Sequence, residues 1–461
     1  MLDVVEQLDL SAIIAVVQAK DPRGNRPYSP VMMVALRFYA YMTGVFSSRR
    51  IAKACVENIA FRVVTGNQQP HHTRLSEFRR QHLDALEGLF VQVLQRCEAA
   101  GLVKGKHVHQ DGTTVQANAR RHKAMSYERM LQTEERLTTE VRQLLESAEQ
   151  VDAAEDGEIG EGADELDHIA AEVKRRETRR EWIRKTRQAL EEEARQSRAA
   201  ALRDRADAHR QGAEEAGDDS KERQRKESLA DKAEAQAQQL AGDPPAVPER
   251  PADRLPEHRV PAAADGTPKP KAQRNFTDPD SRIMKNKKGA YDQCFNGQVS
   301  VDEETSIILA QALSNPAPDS QYLPPMVART LDNLGSSPDT YTADSGYFSA
   351  ENVQSAEDAG TRPYLAVGRQ RRTWPPPDPT EGAPPEGLAP KDKMAWRLRT
   401  EEGRLRMTKR KSTVEKVFGT IKEALGFRRF LLRGLGKARP EWALVCTAYN
   451  LKKLHKAMLT G

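Results

Sequence analysis

The sequence predicts a mixed α/β protein whose N-terminal part is helical and whose sheet domain is split by a long helical insertion. Three observations carry this expectation. Apolar residues recur at helical spacing through the first hundred residues, and short extended segments alternate with helical ones beyond residue 290. Between them lies a highly charged stretch with hardly any aromatic residue. At 461 residues the chain has room for about three domains of roughly 150 residues each, which excludes a single small binding module.

In residues 1–104, Val31, Met32, Leu36, Phe38 and Tyr39, then Ile51, Ala54, Cys55 and Ile59, mark helical faces. Ser29 and Pro30 read as an N-cap and a first helical position, and a further helix starts at Thr73 and leads to Arg79 and Arg80. Short helices with exposed arginines suit a DNA-binding domain of helix-turn-helix type, although any small helical bundle gives the same pattern. The segment His107 to Ala119 reads as strand, turn and strand, with Asp111-Gly112 as the break. Residues 105–127 and 271–461 together form the expected sheet domain.

Residues 128–242 form the charged insertion, expected to be an antiparallel helical hairpin or coiled coil. Its apolar stripe runs through Ile169, Val173, Ile183 and Leu190, and a turn is expected within 153–162. Eight prolines between Asp243 and Lys271 predict a linker over 243–270. Past it, strands are expected at Phe295–Val301, Ile307–Leu313, Asp339–Ala343 and Pro363–Val367, with helices at Gln321–Leu334 and from Ser349. A second proline-rich stretch, Trp374–Pro390, precedes a basic helix at Ser412–Leu425 and a last helix near Glu441–Met458.

The net charge is only +5, but it is segregated: between Lys391 and Gly461 there are 19 Lys or Arg against 6 Asp or Glu. Such an excess points to a polyanionic partner for the C-terminal part, nucleic acid above all. The four cysteines lie far apart and form no CxxC, so neither a zinc site nor a disulfide framework is expected. No basic leader and no long apolar run are present, so no signal peptide or membrane span is expected.

Three carboxylates occupy notable places. Asp111 is expected at a strand end, Asp344 follows the strand Tyr341-Thr342-Ala343, and Glu415 lies on the basic helix. Acids at strand tips and on a neighbouring helix can converge on one site. Each also has a plain reading: Asp111 as a turn residue, Asp344 as an Asx-turn, Glu415 as a solvated helix charge. On the basic helix Lys411, Glu415 and Lys422 share one face, with Arg410, Arg428, Arg429 and Arg433 nearby, a set suited to holding DNA phosphates. Lys285, Lys287 and Lys288 make a candidate phosphate-contacting loop, and Trp182 and Trp374 either stack on bases or cap local clusters. The pairs His71-His72 and His107/His109 lack further ligands for zinc.

Several words in the chain resemble bacterial insertion-sequence transposases of the DDE type. They are Asp111-Gly-Thr-Thr-Val-Gln-Ala-Asn-Ala119 with His122 to Tyr127, Thr277 to Arg282 with Met284 to Gly289, Thr342-Ala-Asp-Ser-Gly-Tyr347, and Thr413-Val-Glu-Lys-Val-Phe-Gly-Thr-Ile-Lys422 with Gly426 to Leu435. Residues 25–83 resemble that family's N-terminal helical domain, and 105–127 with 271–458 its catalytic domain. The resemblance implies an RNase H-like fold in which Asp111, Asp344 and Glu415 bind two Mg²⁺ or Mn²⁺ ions. It implies hydrolysis at the element's ends and strand transfer into target DNA. It further implies recognition of terminal inverted repeats, a homodimer on DNA, and action in the bacterial cytoplasm at the nucleoid. The interval from Glu415 to Lys422 matches the family. The aromatic residue expected about two turns before the glutamate is absent, the stretch reading Met407-Thr408-Lys409-Arg410-Lys411. A catalytically silent DNA-binding protein derived from such an enzyme is the alternative.

Overall fold

A computed structural model describes residues 1–19, 27–155, 163–216, 220–286, 289–368 and 379–460. Among the described residues seven helices come first: α1 (Leu2–Glu6), α2 (Ser11–Gln18), α3 (Pro30–Met42), α4 (Ser48–Glu57), α5 (Ile59–Val64), α6 (His72–Gln81) and α7 (Leu83–Ala99). Strands β1 (His107–Gln116) and β2 (Ala124–Ser126) lead into α8 (Tyr127–Glu155), α9 (Ala163–Glu215) and α10 (Ser220–Ala241). The chain returns through β3 (Gln273–Asn275), β4 (Arg282–Lys285), β5 (Tyr291–Asp302), β6 (Ile308–Ser314), α11 (Leu323–Leu334), β7 (Thr340–Ala343), α12 (Ala350–Asp358) and β8 (Arg362–Leu365). It ends with α13 (Pro390–Arg399), α14 (Glu401–Gly419), a π-helical turn at Thr420–Ala424, and α15 (Leu435–Thr460).

These elements fall into two compact units, one of Met1–Ala119, Val247–Glu257 and Asp280–Gly461, the other of Arg120–Ala246 and His258–Pro279. In the first, the strand path is β4-β5-β1-β7-β8, with β6 on the same side of β5 as β4. β1 pairs antiparallel with β5 and parallel with β7, and β7 pairs parallel with β8. Taken as β6-β5-β1-β7-β8, three antiparallel strands are followed by two parallel ones, in keeping with the RNase H-like arrangement that the resemblance implies.

Helix α15 explains how the helical N-terminal part is held. Every residue from Glu441 to Leu451 is buried, so the helix is enclosed on all sides, by β6 on one side and by α3 and α7 on the other. Gly297 on β5 makes room for it, since a Cβ there would stand 3.0 Å from the Trp442 indole. Residues 1–99 thus share one hydrophobic core with the sheet rather than forming a core of their own. A buried polar cluster joins the same helices: Glu441 accepts from the Leu431 and Leu432 amides, and Arg79 lies 3.8 Å from it and 3.5 Å from the Tyr41 hydroxyl.

Two expectations about local structure need correction. Asp111-Gly112 does not break the first strand; β1 runs unbroken through both, with Asp111 opposite Val299 and Gly112 opposite Gln298. The glycine serves packing rather than turning, because a Cβ at 112 would lie 2.3 Å from Gln298 Nε2 and 2.8 Å from Asp319 Oδ1. The basic helix begins at Glu401, not near Ser412, and α13 precedes it. Thr400 caps α14 by accepting from the Gly403 amide.

In the second unit, α9 packs against α8 through Met130, Leu137, Ile183 and Leu190, and further along against α10 through Leu202, Ala206, Ala230 and Ala237. The apolar stripe is therefore covered within the chain. The proline-rich segment expected as linker divides between the units. Pro256 and Ala252 offer carbonyls to Ser314 and Arg329 in the first, while the Val260 amide donates to Ser197 in the second. The turn expected within 153–162 falls largely outside the described residues, as do Trp374, Lys287 and Lys288.

Gly44 has φ +76°, and a Cβ there would sit 2.6 Å from the Leu425 carbonyl oxygen. Gly44→Ala is expected to lower the stability by at least about 2 kcal/mol, combining left-handed strain with a backbone clash. Gly66→Ala, at φ +56° but in open space, should cost only about 1 kcal/mol. Urea midpoints of the two variants measure the difference.

Candidate active site

The parallel pairing of β1 and β7 sets His107 beside Thr340 and His109 beside Thr342. Two residues further along the same faces come Asp111 and Asp344, the latter one residue past the end of β7. Asp344 also caps a 3-10 turn at Ser345–Tyr347, its Oδ1 accepting from the Gly346 amide at 2.8 Å. Its plain reading and its functional one are therefore compatible.

A third acid, ahead of the helix expected at Gln321–Leu334, joins them. Asp319, in the loop after β6, accepts from Asn296 and Gln298 of β5 at 2.9 Å each. Burial pushes the Asp319 carboxyl above its ordinary value, the two amides oppose that, and Asp344 adds to it. Asp111 is pushed up to about 6, chiefly by burial; Arg410 opposes the shift while Asp344 and Asp319 reinforce it. Tyr347, buried beside these acids, hydrogen-bonds to Gln298 Oε1 at 2.5 Å. In the sequence Asp319 carries no signal beyond being a carboxylate in the loop that follows an expected strand.

Helix α14 lies across β1, β7 and β8. Arg410 Nη1 reaches Asp111 Oδ2 at 3.4 Å, so a cation from the very stretch that lacks the family's aromatic faces the acid site. Lys422, on the π-helical turn, donates to Thr113 Oγ1 at 2.5 Å and to the Thr114 carbonyl at 2.8 Å. Glu415 sits on α14 between these two anchors and is exposed. Asp111 and Asp344 are thus brought together, and Glu415 is carried on the helix that lies across their strands. Among the described residues no group of three or more His, Cys, Asp or Glu is arranged to hold a metal ion.

The helix is fixed to the sheet by Glu303, which follows β5 and is 7% exposed. Its Oε1 accepts from Arg406 at 2.6 Å and from Lys409 at 2.8 Å, and its Oε2 lies 3.3 Å from His109 Nε2. Burial alone would raise the Glu303 carboxyl, but His109, Lys409 and Arg406 outweigh it and hold it well below the usual carboxylate range. Burial keeps His109 on the neutral side.

The other residues expected to touch DNA have mixed fates. Arg80, Lys285 and Lys411 are exposed. Arg428 is also exposed, in an ion pair with Glu423. Arg429 is spent on the chain itself, donating to the carbonyls of Ala117 and Ala119. Arg79 has to be withdrawn from the DNA-contacting set: at 6% exposure it is buried beside Tyr41 and Glu441.

Residues 258–451 match the family described as Transposase DDE domain, and residues 2–81 match the one described as Transposase domain (DUF772). The chain belongs to the DDE-type transposases of insertion sequences. No curated protein and no solved structure matches it. The DDE match takes in Asp319, Asp344 and Glu415 of the transposase, whereas Asp111 lies ahead of it. No helix among the described residues is long and apolar enough to cross a membrane.

Replacing Glu303 by Gln should destabilise the transposase by about 3 kcal/mol at neutral pH, because Arg406 is left without a buried counter-charge. A carboxylate with a lowered folded pKa contributes its stability above its ordinary value of 4.5 and loses it as the pH falls. The gap between wild type and Glu303→Gln in urea midpoint should therefore be wide at pH 7 and narrow steadily below about pH 4.5. An equal gap at pH 7 and pH 3.5 would contradict the ion cluster.

Proposed function

We propose that the transposase cuts DNA at the terminal inverted repeats of its element and joins the freed ends to target DNA, using Asp111, Asp344 and Glu415 to hold two Mg²⁺ or Mn²⁺ ions. The observation that carries this reading is the placement of Asp111 on β1 level with Asp344 just past the end of the parallel neighbour β7, under a helix whose cations reach β1. The donors fit hard divalent ions, since they are carboxylate oxygens and the like charges around Asp111 favour a cation between them. When bound there, such ions lower the pKa of the attacking water or hydroxyl and stabilise the charge that develops on the phosphodiester.

The chain's own side chains supply the rest. Arg410 offsets the charge of Asp111, and Lys422 secures the end of the glutamate-bearing helix to β1. The exposed Lys411, Arg428, Lys285 and Arg80 hold DNA phosphates, fixing the strand without reading its sequence. Because two element ends are cut in concert, the acting form is a homodimer on DNA, at the bacterial nucleoid.

Cleavage of a fragment carrying the terminal repeats, with Mg²⁺ or Mn²⁺, tests the reading. Asp111→Asn, Asp344→Asn and Glu415→Gln should bind the fragment as the wild type does and cut it at least about 100-fold more slowly, and EDTA should stop the wild type. Wild-type cutting by any one variant removes that residue from the site. Binding without cutting by the wild type in either ion would favour the catalytically silent alternative.

A further inference from the structure

The second unit contains a cleft of about 760 Å³, formed by the start of α8 with the segment before it, one face of α9, and Phe276 beyond β3. Lys174, Thr178 and Trp182 succeed one another at four-residue intervals on α9, with Arg175 and Arg179 beside them. Lys123 and Arg129 come from the segment before α8 and its first turn, and among the described residues no Asp or Glu lines the cleft.

Neighbouring cations show how unusual this is. Arg176, Arg184 and Arg187 on the same helix are each paired with Glu140 or Glu134 of α8. Among the described residues, Lys123, Arg129, Lys174 and Arg179 make no ion pair, and Arg175 has only Glu172 on its own helix, 3.2 Å away. Like charges gathered without neutralisation repel one another, so the cleft favours a polyanion. Its aromatic component is equally specific. Trp182 lies against Phe276 with ring centroids 4.9 Å apart and ring planes tilted by 51°, yet remains 46% exposed.

We propose that this cleft binds single-stranded DNA, with the cations holding successive phosphates and Trp182 stacking on an unpaired base. Unneutralised cations beside an open aromatic face are the two components of single-strand recognition. Duplex DNA could use the cations but not the indole, because its bases are already stacked on one another. That the strand is one released by cutting rests on the function proposed above, whereas binding at the cleft does not require cutting.

Anisotropy of a labelled oligonucleotide of about 12 nucleotides, titrated with the full-length protein over a range of salt, tests the proposal. Trp182→Ala should weaken single-strand binding by about 5- to 150-fold and leave duplex binding unchanged, with Trp182→Phe close to wild type. Lys174→Ala with Arg179→Ala, both at exposed positions, should lower the slope of log K against log salt by about 1.4. Asp111→Asn should bind the single strand normally, so a failure of the catalytic reading and a failure of this one are told apart. The proposal is overturned if Trp182→Ala and the double variant both bind the strand like wild type, or if a mononucleotide competes as well as the oligonucleotide.

Discussion

The parallel register of β1 and β7 brings Asp111 and Asp344 to the same level of the sheet, and much of the first unit is arranged around the resulting repulsion. Burial and the neighbouring charge of Asp344 raise the carboxyls of Asp111 and Asp319 above their ordinary values. Each is offset by something specific. Asn296 and Gln298 donate to Asp319, the Gly346 amide to Asp344, and Arg410 leans on Asp111. Gly112 is required by the same crowding, since the amide cluster fills the space where its side chain would lie.

The covering helix is held by charge as much as by packing. Its apolar face, through Val414, Val417 and Ile421, is supplemented at the N-terminal end by Arg406 and Lys409 converging on buried Glu303, and at the other end by Lys422 on β1. A buried carboxylate with three basic neighbours fixes the helix more by direction than by net energy, because desolvation consumes much of the attraction. Removing one partner is still severe, as the others are then left in a dry environment.

The sequence made the strand order beyond residue 290 legible, because period-two segments alternated with amphipathic helices there. It made Asp344 legible by its place after an apolar strand. It misled at Asp111, where Asp-Gly is a common turn signal and the reason for the glycine, side chains on β5, lay nearly two hundred residues away. Glu303 and Asp319 were hidden for a similar cause: their partners are distant in sequence, and a lone acid near a loop gives no sign of burial. Arg79 shows the reverse, since an arginine on a short helix reads as solvated until Glu441 and Tyr41 are found beside it. The start of α14 is not apparent in the sequence because its first turns carry a charge at most positions and declare no apolar face.

All four cysteines are buried and unpaired, and burial pushes the thiols of Cys55 to about 11 and of Cys97 and Cys294 to about 12. So little thiolate forms at neutral pH that the native chain is shielded from alkylating reagents without any change to its sequence. A single cysteine introduced on the surface would accept a maleimide dye selectively, and the same reagent would mark the natural four only in molecules that have opened.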